Sequence, residues 1–115
     1  MSADDPLIRL RHMLDAARKA RQFIEGRTRS DLDKNDMLML ALVRLLEVVG
    51  EAAKAVPEDV RRRTPQIAWK DIAGTRDRLI HGYFDVDLDI VWEIVTKDLP
   101  PLIAALEQLI SAHHG

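Results

Sequence analysis

The sequence predicts an all-α protein, an antiparallel bundle of about four main helices with one short extra helix. Apolar residues recur at spacings of three and four along most of the chain, which is the periodicity of a helix with one buried face. Only 4% of the residues are aromatic while 47% are apolar, so the core must be built from aliphatic side chains, which favours helices over sheet. No segment is a convincing strand. At 115 residues, we expect one domain, residues 1–115.

The first helix is predicted from an amphipathic run of Leu7, Leu10, Leu14, Ala17 and Ile24. Gly26 is expected to end it, because glycine readily adopts the left-handed conformation that closes a helix. A second helix should begin where Ser30, Asp31 or Asp33 can accept hydrogen bonds from its first free amides. It should run to about Val56, before Pro57.

The second helix is apolar on more than one side. One stripe contains Leu38, Leu42, Leu45, Val49, Ala52 and Val56, and another contains Ala41, Val48 and Ala55. A helix that is apolar over so much of its circumference needs two burying surfaces. We expect one of these to be the core of the domain, and the other could be a second subunit.

A short helix is predicted next, because Pro57 is followed by Glu58 and Asp59, whose carboxylates suit the positive end of a helix. Thr64 and Pro65 should end it.

A further helix is expected from Trp69 to about His81, weakened by Gly74 and closed by Gly82.

The last long helix should be capped by Asp87 or Asp89. Pro100 and Pro101 cannot donate hydrogen bonds to the preceding turn, so we expect this helix to kink or break there.

Several function classes are excluded by what the sequence lacks. Without cysteine there can be no disulfide, thiolate metal site or cysteine nucleophile. Glu47 and Glu51 lie four residues apart, but they lack enough neighbouring ligands for a metal, and we expect neither metal nor cofactor. No glycine-rich loop could cradle a phosphate, so the chain should not itself be a nucleotidyltransferase.

We expect a cytoplasmic protein with no membrane role. Residues 1–6 are acidic and polar, unlike an export signal, and the longest apolar region is interrupted by Arg44 and Glu47.

Charge is distributed unevenly, although the net charge is only −2. The first helix and its exit are basic, and a second basic cluster follows at residues 61–63. The residues of the first group are Arg9, Arg11, Arg18, Lys19, Arg21, Arg27 and Arg29. Such a surface could bind RNA phosphates, although an ordinary solvated helix face explains most basic residues of this kind.

His81 is the leading catalytic candidate, because imidazole gives or takes a proton near neutral pH. On an ideal helix Asp77 lies four residues before it on the same face, where its carboxylate could orient the imidazole. Arg76 lies about 140° around the axis from His81, so a straight helix would not place both on one face. For the two to converge, the helix must end or bend near Gly82, or the site must include a second subunit.

Cleavage of RNA at a ribose 2′-hydroxyl needs a base, an acid and positive charge for the pentacoordinate phosphate. Arg76 could supply the fixed charge and His81 one proton transfer, which leaves the other proton transfer open. Two copies about a two-fold axis would bring two histidines and two arginines to one cleft. The alternative is structural, since such residues often only cap a helix and pair with nearby acids.

The segment Arg76-Asp77-Arg78-Leu79-Ile80-His81-Gly82-Tyr83 resembles the arginine–histidine signature of the HEPN ribonucleases, with Asp77 at the polar position that follows the arginine. Residues 49–52 (Val-Gly-Glu-Ala), 69–74 (Trp-Lys-Asp-Ile-Ala-Gly) and 98–102 (Asp-Leu-Pro-Pro-Leu) resemble the HepT-like branch. The resemblance covers nearly the whole chain. It departs mildly at Asp77, where asparagine is common and where a negative charge could repel phosphate.

The resemblance implies a helical-bundle homodimer with a composite, metal-independent ribonuclease site, acting as the toxin of a toxin–antitoxin pair. Its implied partners are an RNA substrate and an MNT-type nucleotidyltransferase antitoxin, which transfers AMP from ATP to Tyr83 and can assemble with the toxin into a larger complex. Arg76 and His81 are then the catalytic residues. Asp77 and Glu51 are expected to support them, Glu51 by pairing with Arg76 or Arg78. The alternative is a non-catalytic helical subunit that binds a nucleotidyltransferase.

Overall fold

The computed structural model describes residues 5–82 and 85–114, the last two without their side chains. Its α-helices are α1 (Pro6–Phe23), α2 (Arg29–Lys34), α3 (Asp36–Ala55), α4 (Glu58–Arg62), α5 (Trp69–Ala73), α6 (Thr75–Leu79), α7 (Leu88–Glu93) and α8 (Leu99–His114). A π-helical turn, Ile94–Asp98, joins α7 to α8. The all-α class is confirmed, but the expectation of no strand is wrong, because β1 (Ile80–His81) pairs with β2 (Asp85–Val86).

The core lies where α1 and α8 pack together and where α3 packs between α1 and the α5–α6 segment. It is aliphatic, as predicted, and its most deeply buried large side chains are Leu10, Met13, Leu32, Leu42, Leu46, Leu79, Leu99 and Leu106. Among the described residues, no helix has both the length and the apolar character needed to cross a membrane.

Helix α1 follows its prediction. The Asp5 side chain accepts a hydrogen bond from the Leu7 amide at 2.9 Å, and Pro6 occupies the first turn. The helix ends at Phe23, and Gly26 follows with a φ of 72°, the left-handed conformation expected of it.

The predicted second helix is two helices. Thr28 and Asp31 form a capping box at the start of α2, where the Thr28 amide donates to the Asp31 carboxylate at 2.7 Å and lowers the pKa of that carboxyl. The chain then breaks at Asn35, whose side-chain oxygen accepts from the Leu38 amide at 3.0 Å and begins α3. The cap of the long helix is therefore Asn35. Its side chain binds the Leu38 amide while its own backbone is extended, so α2 ends there and α3 begins.

Close packing at Gly50 brings α5 and α6 against α3. A Cβ atom at this glycine would lie 3.0 Å from the backbone oxygen of Ile72, so a larger residue would push the two segments apart. The buried Thr75 hydroxyl donates to the same Ile72 oxygen at 2.6 Å and fixes the start of α6. These contacts set the position of α6.

The last helix is disturbed one turn before its prolines. Asp87 caps α7, as predicted. The Leu99 amide donates to the oxygen of Ile94, five residues earlier, which is the π-helical hydrogen bond. Pro100 has no N–H and so cannot make the next such bond, to the oxygen of Val95. Arg21 donates to that free Val95 oxygen at 3.2 Å instead. The helix therefore continues through the prolines, and the predicted break is replaced by a π turn.

Candidate active site

Arg76 is held on α6 beside α3. Its Nε atom lies 3.6 Å from a carboxylate oxygen of Glu47, a separation that allows an ion pair without a hydrogen bond. The Arg76 side chain is 68% exposed and that of Glu47 only 22%, so the guanidinium keeps most of its donors available to a ligand.

Arg76 and Arg78 have acidic partners on α3 and on the π turn. Glu47, one helical turn before Glu51, pairs with Arg76, and Asp98 lies 3.8 Å from Arg78. Glu51 is exposed on α3, and its supporting role stays a prediction.

His81 lies on a strand instead of a helix. Helix α6 ends at Leu79, and the chain then pairs Ile80 with Val86 and His81 with Asp85. A further hydrogen bond runs from the Asp87 amide to the Leu79 oxygen at 2.8 Å. The prediction of a helix up to His81 is wrong because this pairing with later residues overrides the local helical pattern.

The carboxylate beside His81 is that of Asp87. Its Oδ2 atom lies 3.9 Å from Nε2 of His81. The expectation that Asp77 faces His81 depended on one continuous helix, and that geometry is absent because the helix ends between them. Asp77 is exposed in the first turn of α6, and its supporting role stays a prediction. Sequence reasoning identified Asp87 only as a helix cap, because it did not predict the hairpin.

Tyr83 lies outside the described residues. Gly82, the last described residue before it, has a φ of 80°, a left-handed conformation that glycine adopts without strain.

Comparison with known proteins places the chain among ribonucleases. The family model described as HepT-like ribonuclease matches residues 13–109. The chain belongs to the HepT-like ribonuclease family. The predicted family and the predicted enzyme class are therefore confirmed. No solved structure matches the chain.

Similar proteins carry ribonuclease names. The chain is 37% identical to "Putative RNase TTE0752" of Caldanaerobacter subterraneus subsp. tengcongensis over 88% of its own length and 90% of that protein. It is 33% identical to "Putative RNase MJ1380" of Methanocaldococcus jannaschii over 93% of this chain and 98% of that protein. It is 45% identical to "Probable ribonuclease HepT" of Thermococcus cleftensis over 60% of this chain and 63% of that protein.

In this HepT-like chain, the outer face of α3 is apolar at its start, two to three turns before Glu47, the residue that contacts Arg76. Met37 is 81% exposed and Leu40 is 60% exposed. The second predicted stripe continues this face, with Ala41 and Val48 half-buried and Ala55 exposed, and the exposed charged residues Arg44 and Glu51 lie between them on the same side. Glu47 lies along the edge of the same face and contacts Arg76. We call these residues of α3 the α3 outer face.

Many of the basic residues expected at a phosphate surface have acidic partners. Arg18 pairs with Glu107 at 2.6 Å, and Arg29 pairs with Asp89 at 2.8 Å, which raises the pKa of the Arg29 guanidinium. On α4 and at its end, Arg62 pairs with Glu58 and Arg63 with Asp59, each one turn earlier. These pairs favour the structural explanation for the residues involved. Within the described ranges, no cluster of histidine and acidic side chains could hold a metal ion.

Proposed function

We propose that this HepT-like chain is the ribonuclease toxin of a toxin–antitoxin pair, and that it cleaves RNA at a site shared by two copies of the chain. The observation that carries the proposal is the placement of Arg76 and His81. Both side chains are exposed, at 68% and 63%, and each lies beside one carboxylate of its own chain. Arg76 also borders the α3 outer face, where a second copy could bind.

Arg76 and His81 supply the chemistry that a metal ion supplies in other nucleases. A guanidinium donates two parallel hydrogen bonds to phosphate oxygens and so stabilises the charge that develops on the phosphorus group. An imidazole removes the proton of the ribose 2′-hydroxyl, whose oxygen then attacks phosphorus. The bond to the 5′ oxygen breaks, and an acid protonates that oxygen. The products are a 2′,3′-cyclic phosphate and a 5′-hydroxyl end.

Two copies would complete the site by bringing Arg76 of one copy to the same phosphate as His81 of the other. The carboxylates that Arg76 and His81 contact lie on different elements, α3 and the start of α7. An interface along the α3 outer face would bury Met37 and Leu40, whose exposure otherwise leaves apolar surface in water. Both copies of Arg76 would reach one cleft when the two-fold axis passes close to Glu47, the α3 residue that contacts Arg76.

The proposed partner is an MNT-type nucleotidyltransferase antitoxin in the cytoplasm, which transfers AMP from ATP to Tyr83 and with which the toxin forms a larger complex. Support comes from the family and from the sequence, since Tyr83 lies two residues after His81. An adenylate there would add bulk and negative charge beside Arg76 and His81, so it would both block the cleft and occupy its positive charge.

Replacing either catalytic candidate should abolish cleavage. We expect His81→Ala and Arg76→Ala each to lower the rate of RNA cleavage by about a hundredfold or more, because proton transfer and charge stabilisation each contribute on this scale. The measurement is cleavage of an end-labelled RNA in EDTA, with end analysis for the cyclic phosphate.

His12→Ala and Arg62→Ala are the matched controls, since both residues are exposed and lie on other helices. Equal cleavage by all five proteins would refute the proposed site. A wild-type chain that binds the nucleotidyltransferase but cleaves no RNA would instead support the non-catalytic subunit.

Dimerisation should depend on the α3 outer face. A buried methionine contributes about 1.5–3 kcal/mol, and a two-fold interface contains it twice, so Met37→Glu should raise the dimer dissociation constant by about a hundredfold or more. Light scattering after gel filtration measures the mass. Phe23→Glu, which charges an exposed apolar residue on α1, should leave the dimer intact. A Met37→Glu protein that stays dimeric would exclude this interface.

Tyr83 should be the site of adenylylation. It is the one tyrosine of the sequence, so Tyr83→Phe removes every tyrosine hydroxyl from the chain. With the antitoxin and ATP, we expect intact-mass spectrometry to show added AMP on the wild type and none on the variant, which should continue to cleave RNA. Unchanged modification of the variant would rule out Tyr83.

A further inference from the structure

We infer that Asp87 is a positioning residue for His81, with one carboxylate oxygen capping α7 and the other orienting the imidazole. This inference rests on the proposed ribonuclease function, because it concerns the same histidine. It gives a catalytic purpose to a residue that the sequence identifies only as a cap.

The Asp87 carboxylate is fixed by contacts that do not involve His81. Its Oδ1 atom accepts a hydrogen bond from the Ile90 amide at 3.1 Å, the capping bond of α7. Its own amide donates to the Leu79 oxygen at 2.8 Å, which ties the residue to the end of α6. With its backbone and one oxygen held, Asp87 presents Oδ2 to the hairpin in a defined direction.

His81 lies directly in front of that second oxygen. Its Nε2 atom is 3.9 Å from Oδ2, and the Asp87 side chain is 36% exposed against 63% for His81. The carboxylate is thus the more buried partner, and the imidazole is the more accessible one. The two atoms must approach by about 1 Å to form a hydrogen bond, a closure typical of catalytic contacts when substrate binds.

The geometry assigns the two ring nitrogens of His81 to different tasks. A carboxylate that faces Nε2 favours the tautomer with a proton on Nε2, so Nδ1 carries the free lone pair. Nδ1 is then the atom that exchanges a proton with RNA. A carboxylate that orients histidine and stabilises its charged form through the opposite nitrogen is the arrangement of serine-protease triads.

The neighbouring acids do not offer the same contact. Asp89 pairs with Arg29 at 2.8 Å, on another part of the surface. Asp85 is the cross-strand partner of His81, but it is exposed and lies at the end of the hairpin. Asp87 combines proximity to Nε2 with a carboxylate fixed by a separate hydrogen bond.

Asparagine separates the two roles of Asp87, because it caps helices as well as aspartate does but carries no charge. We expect Asp87→Asn to lower kcat for RNA cleavage by about tenfold to a hundredfold, with KM and the melting temperature nearly unchanged. Asp87→Ser, which keeps a capping oxygen and lacks the second one, should show the same loss of kcat. Asp89→Asn, which removes the same charge from the same helix end, should keep wild-type kcat.

Nitrogen-15 NMR of labelled histidine gives a readout that a structural role would not change. In the wild type at alkaline pH, His81 should show the tautomer protonated at Nε2, and Asp87→Asn should shift it towards a mixture. The other three histidines should not move.

Wild-type kcat together with an unchanged His81 spectrum in Asp87→Asn would overturn the inference. So would a fall in kcat that is fully explained by a lower melting temperature of the variant. If His81→Ala itself cleaved RNA normally, the proposed function would fail instead.

Discussion

The site depends on one backbone event, the end of helix α6 at Leu79. Leu79 is fully buried, and its oxygen accepts the Asp87 amide at 2.8 Å, so the chain must leave the helix where the two segments meet. From that point the backbone becomes strand β1, and His81 leaves the helix that carries Arg76. After this change of direction, Arg76 lies beside α3 and His81 lies beside Asp87, the residue that caps α7. In a continuous helix Arg76 and His81 would lie about 140° apart around the axis, and His81 would not lie in the hairpin that the Asp87 amide closes.

The two catalytic candidates, Arg76 and His81, each lie beside one carboxylate that leaves most of the side chain exposed. The carboxylate contacts of Arg76 and His81 are 3.6 and 3.9 Å long, and both side chains stay largely exposed. Exposed ion pairs of this kind contribute little to stability, because water and salt screen them. A phosphate that offers a guanidinium two hydrogen bonds can therefore compete for Arg76, while Glu47 restricts the directions in which the side chain points. The fold thus orients the site loosely and leaves it open to RNA.

The sequence predicted the helices whose signals are local, including the apolar periodicity of α1 and α3, the glycine after α1 and the cap at Asp87. It missed features that depend on contacts between distant segments. The hairpin forms because residues after Gly82 pair with those before it, and no local propensity encodes that pairing. Glu47 and Glu51 lie on nearly the same side of α3, and the packing of α5 and α6 against α3 places Glu47 beside Arg76. Arg76 and His81 themselves were found by residue type and family resemblance, whereas their partners required the fold.

The central claim is that arginine and histidine from two copies act together. It is tested most directly by mixing Arg76→Ala and His81→Ala proteins, refolding them together and measuring RNA cleavage by the isolated heterodimer. Each variant alone should be inactive, while the heterodimer, with one intact Arg76 and one intact His81 at the shared cleft, should regain at least about a tenfold higher rate than either. A heterodimer that forms, as two different affinity tags would verify, but cleaves no faster than its parents would contradict the shared site.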